Sequence, residues 1–185
     1  MKKAILFSLL VFISLVSRAQ TYIKINGLSA LVAVPQLGIE TSIGAKSTFS
    51  IDGFASFWKS FDGKPMQALM ITPEYRYHFH EKFNGFYTGF HFGGDVYKIQ
   101  KWNYWGTNHY EKGLGYHIGA TIGYQKRLSD KFVLDAFIGG GWHQGFYKGY
   151  YLDGTPGRYE SVKNFNKSGE WLPYRGGIMI SYKLN

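Results

Sequence analysis

The stretch Leu114-Gly115-Tyr116-His117-Ile118-Gly119-Ala120-Thr121-Ile122-Gly123-Tyr124 decides the fold. Its even positions are all apolar or aromatic. Its odd positions are small or polar, and that side continues to Gln125 and Arg127. A period of two marks a strand with two unlike faces. Three other segments repeat it. Phe132, Leu134, Ala136, Ile138 and Trp142 stand against Asp135, Gly139, Gly141 and His143. Tyr174, Ile178, Ile180, Tyr182 and Leu184 stand against Arg175, Gly177, Ser181 and Lys183. Leu69, Ile71, Tyr75, Tyr77 and Phe79 stand against Thr72, Glu74, Arg76 and His78.

Working outward, the pattern predicts eight strands at about 22–33, 38–45, 48–58, 67–79, 86–99, 113–127, 132–148 and 172–184. Connections at Val34–Leu37, Ala45–Ser47, His80–Gly85 and Leu128–Lys131 are short, and those at 59–66, 100–112 and 149–171 are long. No internal repeat or linker divides the 185 residues, which are one domain's worth. The 15 Tyr, 15 Phe and 24 Gly fit an all-β chain and argue against both disorder and a helical bundle. The absence of cysteine excludes disulfides, thiolate metal clusters and cysteine nucleophiles.

The N-terminus reads as an export signal. Met1-Lys2-Lys3 precedes an apolar run from Ala4 to Val16, and Ser17-Arg18-Ala19 supplies small residues around a cleavage point after Ala19. Residues 1–19 are therefore predicted to be a signal peptide and 20–185 the barrel domain. Loss of Lys2, Lys3 and Arg18 takes the formal charge from +9 to +6. No other segment could cross a bilayer as a helix, so membrane residence would rest on strands.

Which face is inside sets the class. Glycine and charge occupy one face of nearly every strand, and an apolar band occupies the other. Eight strands leave a narrow interior that suits small and compact polar side chains. The expectation is an antiparallel up-and-down transmembrane β-barrel in the bacterial outer membrane, with short turns at the periplasmic end and long loops outside. A soluble periplasmic ligand-binding barrel is the architectural alternative.

Parity and depth assign the lumen charges to two layers. Asp52, Glu74, Arg76, Gln125, Arg127 and Asp135 fall toward the periplasm, and Glu40, Asp95, His117, His143 and Arg175 toward the outside. Buried charges persist when paired, so the set reads as a structural ion-pair plug. Trp58, Trp102, Trp105, Trp142 and Trp171 collect as an outer aromatic rim. They are interfacial anchors or, as a sharper alternative, platforms for sugar rings. The opposite rim uses Tyr77, Phe79, Phe83, Phe86, Tyr124 and Phe132.

No catalytic, cofactor-binding or metal-binding residue is assigned. His78 and His80 share a strand face at chelating spacing without a third ligand. Gly-x-Ser-x-Gly, His-Glu-x-x-His and His-x-Ser are absent. Gly139-Gly140-Gly141 reads as a kink or thin spot in the wall. Lys98, Lys101 and Lys112 lie near Glu111, and Lys163 and Lys167 near Glu160 and Glu170, so no basic stripe is expected and no nucleic-acid partner. Loop lysines suit lipopolysaccharide phosphates.

Several pieces together resemble a Bacteroidetes family of small outer-membrane barrels, domain of unknown function 3575. They are Thr72-Pro73-Glu74-Tyr75-Arg76-Tyr77, Glu81-Lys82-Phe83-Asn84-Gly85-Phe86-Tyr87, Gly119 to Gln125, Leu134-Asp135 and Gly139-Gly140-Gly141-Trp142. The likeness covers most of the chain after residue 19. It implies an OmpA-like eight-stranded barrel with Glu74 and Arg76 as a structural lumen pair, and it implies no activity. Arg175-x-Gly177-x-x-Ile180-x-Tyr182 also looks like an outer-membrane assembly signal, although the chain ends in Leu184-Asn185 and not an aromatic.

The leading expectation is thus a monomeric envelope or surface-interaction barrel without enzymatic activity. Its partners would be outer-membrane lipid, lipopolysaccharide and, during insertion, the barrel-assembly machinery. An outer-membrane enzyme acting on lipid A or glycan is the functional alternative.

Overall fold

The computed structural model describes residues 19–60, 62–159 and 163–185, so the export signal lies outside the described residues except for Ala19. Eight strands form one closed antiparallel ring: β1 Thr21–Asn26, β2 Gln36–Ser42, β3 Ser47–Lys59, β4 Pro65–His78, β5 Gly85–Ile99, β6 His109–Arg127, β7 Phe132–Tyr151 and β8 Asn166–Lys183. Each strand pairs with the next in sequence, and β1 pairs with β8 from Tyr22–Lys183 to Asn26–Met179. The up-and-down all-β barrel expected from the alternation is the observed fold. Exposed Ile23, Ile39, Ile51, Ile71, Ile122 and Ile180 line its outside, and Lys24, Glu40, Glu74, Arg76 and Asp135 are buried within.

The first strand is shorter than its apolar content suggested. It stops at Asn26, whose Oδ1 accepts the N–H groups of Leu28 at 3.1 Å and Ser29 at 3.3 Å. That cap satisfies free amides at a helix start. It launches the short helix α1, Gly27–Leu31, where extended chain to residue 33 had been expected. The link to β2 therefore runs from Gly27 to Pro35 and is not the brief Val34–Leu37 turn. Above Asn26 and Gln36 no strand stands between β3 and β8. α1 packs against β8 there, and Ala33 and Pro35 bond to Trp58 and Ala55 of β3. A cavity of about 100 Å³ lies behind this seam, touched by Ser29, Gln36, Asp52, Thr72 and Arg175.

β6 and β8 begin at His109 and Asn166, several residues before the predicted starts, so the wall is tallest from β5 to β8. The register of β7 and β8 slips between Gly139 and Gly141, where Gly139 faces Arg175 but Gly141 faces Leu172. The triple glycine thus sits opposite a bulge, which turns successive residues to the same side. Tyr174, assigned by alternation to the outer face, consequently points inward and reaches His91 Nε2 at 2.8 Å.

The short-turn end is stoppered. Phe83, expected at the rim, is 1% exposed and has a positive φ of 61°. That left-handed conformation folds its ring under the barrel, where it packs on Tyr22 at 4.5 Å and beside Val133. Replacing Phe83 by Ala should reduce unfolding free energy by about 3–5 kcal/mol, the usual cost of emptying a buried aromatic site. Denaturant unfolding of the purified protein, read by tyrosine and tryptophan fluorescence, measures it.

Candidate functional site

The interior is built in storeys. Above the Phe83 stopper, β1, β2, β3, β4, β7 and β8 direct Lys24, Glu40, Asp52, Glu74, Arg76, Asp135 and Arg175 into one connected network. Arg76 is central. Its Nε donates to Glu74 at 2.7 Å, and its Nη1 donates to Glu40 at 2.9 Å and Asp135 at 2.8 Å. Lys24 Nζ bridges the same two carboxylates at 2.8 Å and 2.9 Å. Thr48 and Gln125 donate to Glu40 at 2.6 Å and 3.0 Å, and Tyr87 donates to Asp135 at 2.9 Å. Arg175 continues the chain of charge to Asp52 at 2.7 Å and Glu74 at 3.3 Å. Charges removed from water need this density of partners, because the attraction of one pair does not repay desolvation.

The next storey is imidazole-rich. His117 meets Thr72 at 3.0 Å through Nε2 and lies 3.6 Å from Asp95 through Nδ1. His143 also reaches Asp95, at 3.0 Å. His91 is held between Thr121 and Tyr174 at 3.0 Å and 2.8 Å. At the top, Lys101 reaches inward from its loop to Glu170 at 2.7 Å and Glu111 at 3.5 Å. The first part of the last loop, up to Tyr159, turns back over this mouth. Tyr159 lies on the lumen side of Gly149, 9% exposed and stacked on His109 at 4.3 Å, and burial pushes its phenol above the ordinary value.

Several placements differ from the sequence expectation. Glu40 belongs to the Arg76 network at the short-turn end and not to the outer layer, since β2 is short and pairs low on β3. Arg175 joins the same network through Glu74 and brings Asp52 with it. Arg127 leaves the lumen altogether. It is exposed at the rim, 3.8 Å from Glu81, because β6 ends there. His78 and His80 do not share a face. His78 is buried against Thr48 and the Phe83 ring, and His80 is exposed beyond the strand end. Among the described residues no group of three His, Asp or Glu is placed to hold a metal.

Lys24, Tyr87 and the Lys101–Glu111–Glu170 group were missed. Lys24 alternates with Ile23 and Ile25, a signal that short strand β1 carried too weakly to weigh. Lys101 comes from a loop, where parity says nothing. Trp58, Trp102, Trp105 and Trp171 are exposed at the long-loop end, and Trp142 packs edge-on against Trp171 at 6.1 Å.

Fold and interior together define a closed eight-stranded barrel with an apolar outside and a filled, ion-paired inside. The chain belongs to the family described as protein of unknown function (DUF3575), whose model matches residues 4–184. No curated protein and no solved structure matches it.

The network makes a sharp contrast in mutational cost. Arg76→Leu strands Glu40, Glu74 and Asp135, and should cost about 3–5 kcal/mol in denaturant unfolding. Arg127→Leu breaks only an exposed pair and should change stability by less than about 1 kcal/mol.

Proposed function

We infer that this protein is an integral outer-membrane β-barrel that stabilises the envelope and presents its long loops to the exterior, with no catalytic role. One observation carries the reading: the barrel is inside-out with respect to a soluble one. The seven carboxylates on the strands, at Glu40, Asp52, Glu74, Asp95, Glu111, Asp135 and Glu170, all belong to the lumen. The outer wall meanwhile carries Ile, Leu, Phe and Tyr side chains around its circumference. Hydrocarbon accepts such a surface and requires the paired backbone that a closed ring provides.

Further features support the same placement. β3 to β8 comprise 13 to 20 residues each, beyond the roughly 9–11 that a tilted strand uses to span. Beside the short β1 and β2, exposed Leu28, Leu31 and Val32 of the α1 segment continue the apolar surface. The signal at residues 1–19 would supply export, and the tryptophans would mark the outer interface. A filled lumen suits a structural barrel better than a ligand carrier or general pore.

Fractionation of cells expressing the full chain tests this. The protein should be recovered with the outer membrane and migrate as a compact band that shifts on boiling. Recovery in the soluble periplasm would refute the assignment. Planar-bilayer recordings on the folded protein should show no steady conductance, and a persistent open pore would refute the sealed lumen.

A further inference from the structure

The charge that the sequence scattered is gathered by the strand register. Lys98 on β5 pairs directly with Lys112 on β6, and Lys112 pairs with Lys148 on β7. Each lies two residues along its strand from an outer apolar residue, Val96, Leu114 or Phe146, so the three amines share the outer face. Lys167 on β8 extends the row, pairing with Phe146. A basic stripe therefore forms where none was expected. The reason is parity: Glu111 and Glu170, neighbours of these lysines in sequence, turn into the lumen toward Lys101. Glu160 lies outside the described residues.

Directly opposed cross-strand residues have Cβ atoms about 4.5–5.5 Å apart, and like charges so placed repel. Among the described residues no carboxylate lies within ion-pair distance of Lys98, Lys112, Lys148 or Lys167. Three of the four lie over aromatic faces: Lys98 over Tyr110 at 5.1 Å, Lys148 over Phe165 at 4.8 Å and Lys167 over Phe146 at 5.9 Å. A shallow groove of about 620 Å³ crosses the wall at the row itself, touching Lys98, Lys112, Lys148 and Tyr150, and its short-turn side is apolar, formed by Leu69, Val96 and Leu114. On the long-loop side, Tyr110 and Tyr150 stack at 5.6 Å.

We propose that this face of β5–β8 is a binding site for a phosphorylated saccharolipid of the lipid A type. Its phosphate bridges the lysine row, its acyl chains lie on the apolar side of the groove, and its sugar rings rest against Tyr110 and Tyr150. An anion across the row removes the repulsion between the three amines, and the apolar strip beneath accepts several chains side by side. The aromatic pair above offers ring faces to a sugar, which a glycerol-based phospholipid lacks. The inference rests on the outer-membrane reading, which places the long-loop end in the outer leaflet.

The test uses the full folded protein in detergent, with lipid retention read by native mass spectrometry for lipid A, dephosphorylated lipid A and phosphatidylglycerol. Wild type should retain lipid A at least about tenfold better than either other lipid. The combined variant Lys98→Gln, Lys112→Gln, Lys148→Gln should lose that preference while keeping the compact unboiled band. Lys126→Gln, at the opposite rim, should keep it. Equal retention of the three lipids by wild type, or an unchanged preference in the triple variant, would overturn the site. Because the assay is independent of fractionation, a protein recovered with the outer membrane that shows no lipid preference sinks this inference alone.

Discussion

Arg76 is the group on which the interior depends. Its guanidinium is fully buried, touches one carboxylate of its own strand, Glu74, and two from across the ring, Glu40 on β2 and Asp135 on β7, and lies 4.6 Å from the Tyr87 ring centre. A rigid planar fork suits this task better than an ammonium, because it fixes the direction of each bond as well as the charge. Lys24 then shares two of the same carboxylates, and Arg175 shares the third. Strands that never touch through their backbones, such as β4 and β7, are thereby tied across the lumen. Backbone pairing joins only nearest neighbours, so these cross-ties help fix the barrel's cross-section.

Strand parity links this interior to the exterior. Each carboxylate that turns inward leaves the outer wall without negative charge, and this separation applies equally to sequence neighbours. Lys112 and Glu111 are adjacent in the chain and belong to opposite environments, one among aromatics on the outer wall and the other in the mouth. The same rule explains why a local irregularity has reach. The bulge opposite Gly140 reverses the facing of β8 above Arg175, which brings Tyr174 to His91 and leaves Trp171 outside.

Most of the architecture was legible in sequence because long two-faced strands advertise themselves. β4, β6 and β7 were placed with the correct face inward, and Glu74, Arg76, Asp135, Asp95, His117 and His143 were read as lumen residues. What stayed hidden was depth and exception. Alternation gives a side but not a height, so Glu40 and Arg175 went to the wrong storey. Arg127 followed the parity of β6 past the point where the barrel ends. Phe83 obeyed a turn conformation that no strand rule covers, and Tyr174 a bulge. The lysine row required the register between strands, which a single chain pattern does not encode.

The barrel does not close evenly. β6 and β7 pair along nearly their whole lengths, from His109–Tyr151 to Arg127–Val133, whereas β1 meets β8 only from Tyr22–Lys183 to Asn26–Met179. Few backbone bonds hold the junction of the two chain ends, and above it a short helix stands where a strand would be. So short a pairing makes this seam the place where sub-global opening would start, while the β5–β7 wall stays hydrogen-bonded. Lys24 and Glu40 sit on one side of this seam and Asp135 on the other, so such a fluctuation would draw Lys24 away from Asp135 and leave Arg76 as the cation joining the two sides. The molecule then behaves mechanically as a stiff half-shell with a hinged margin.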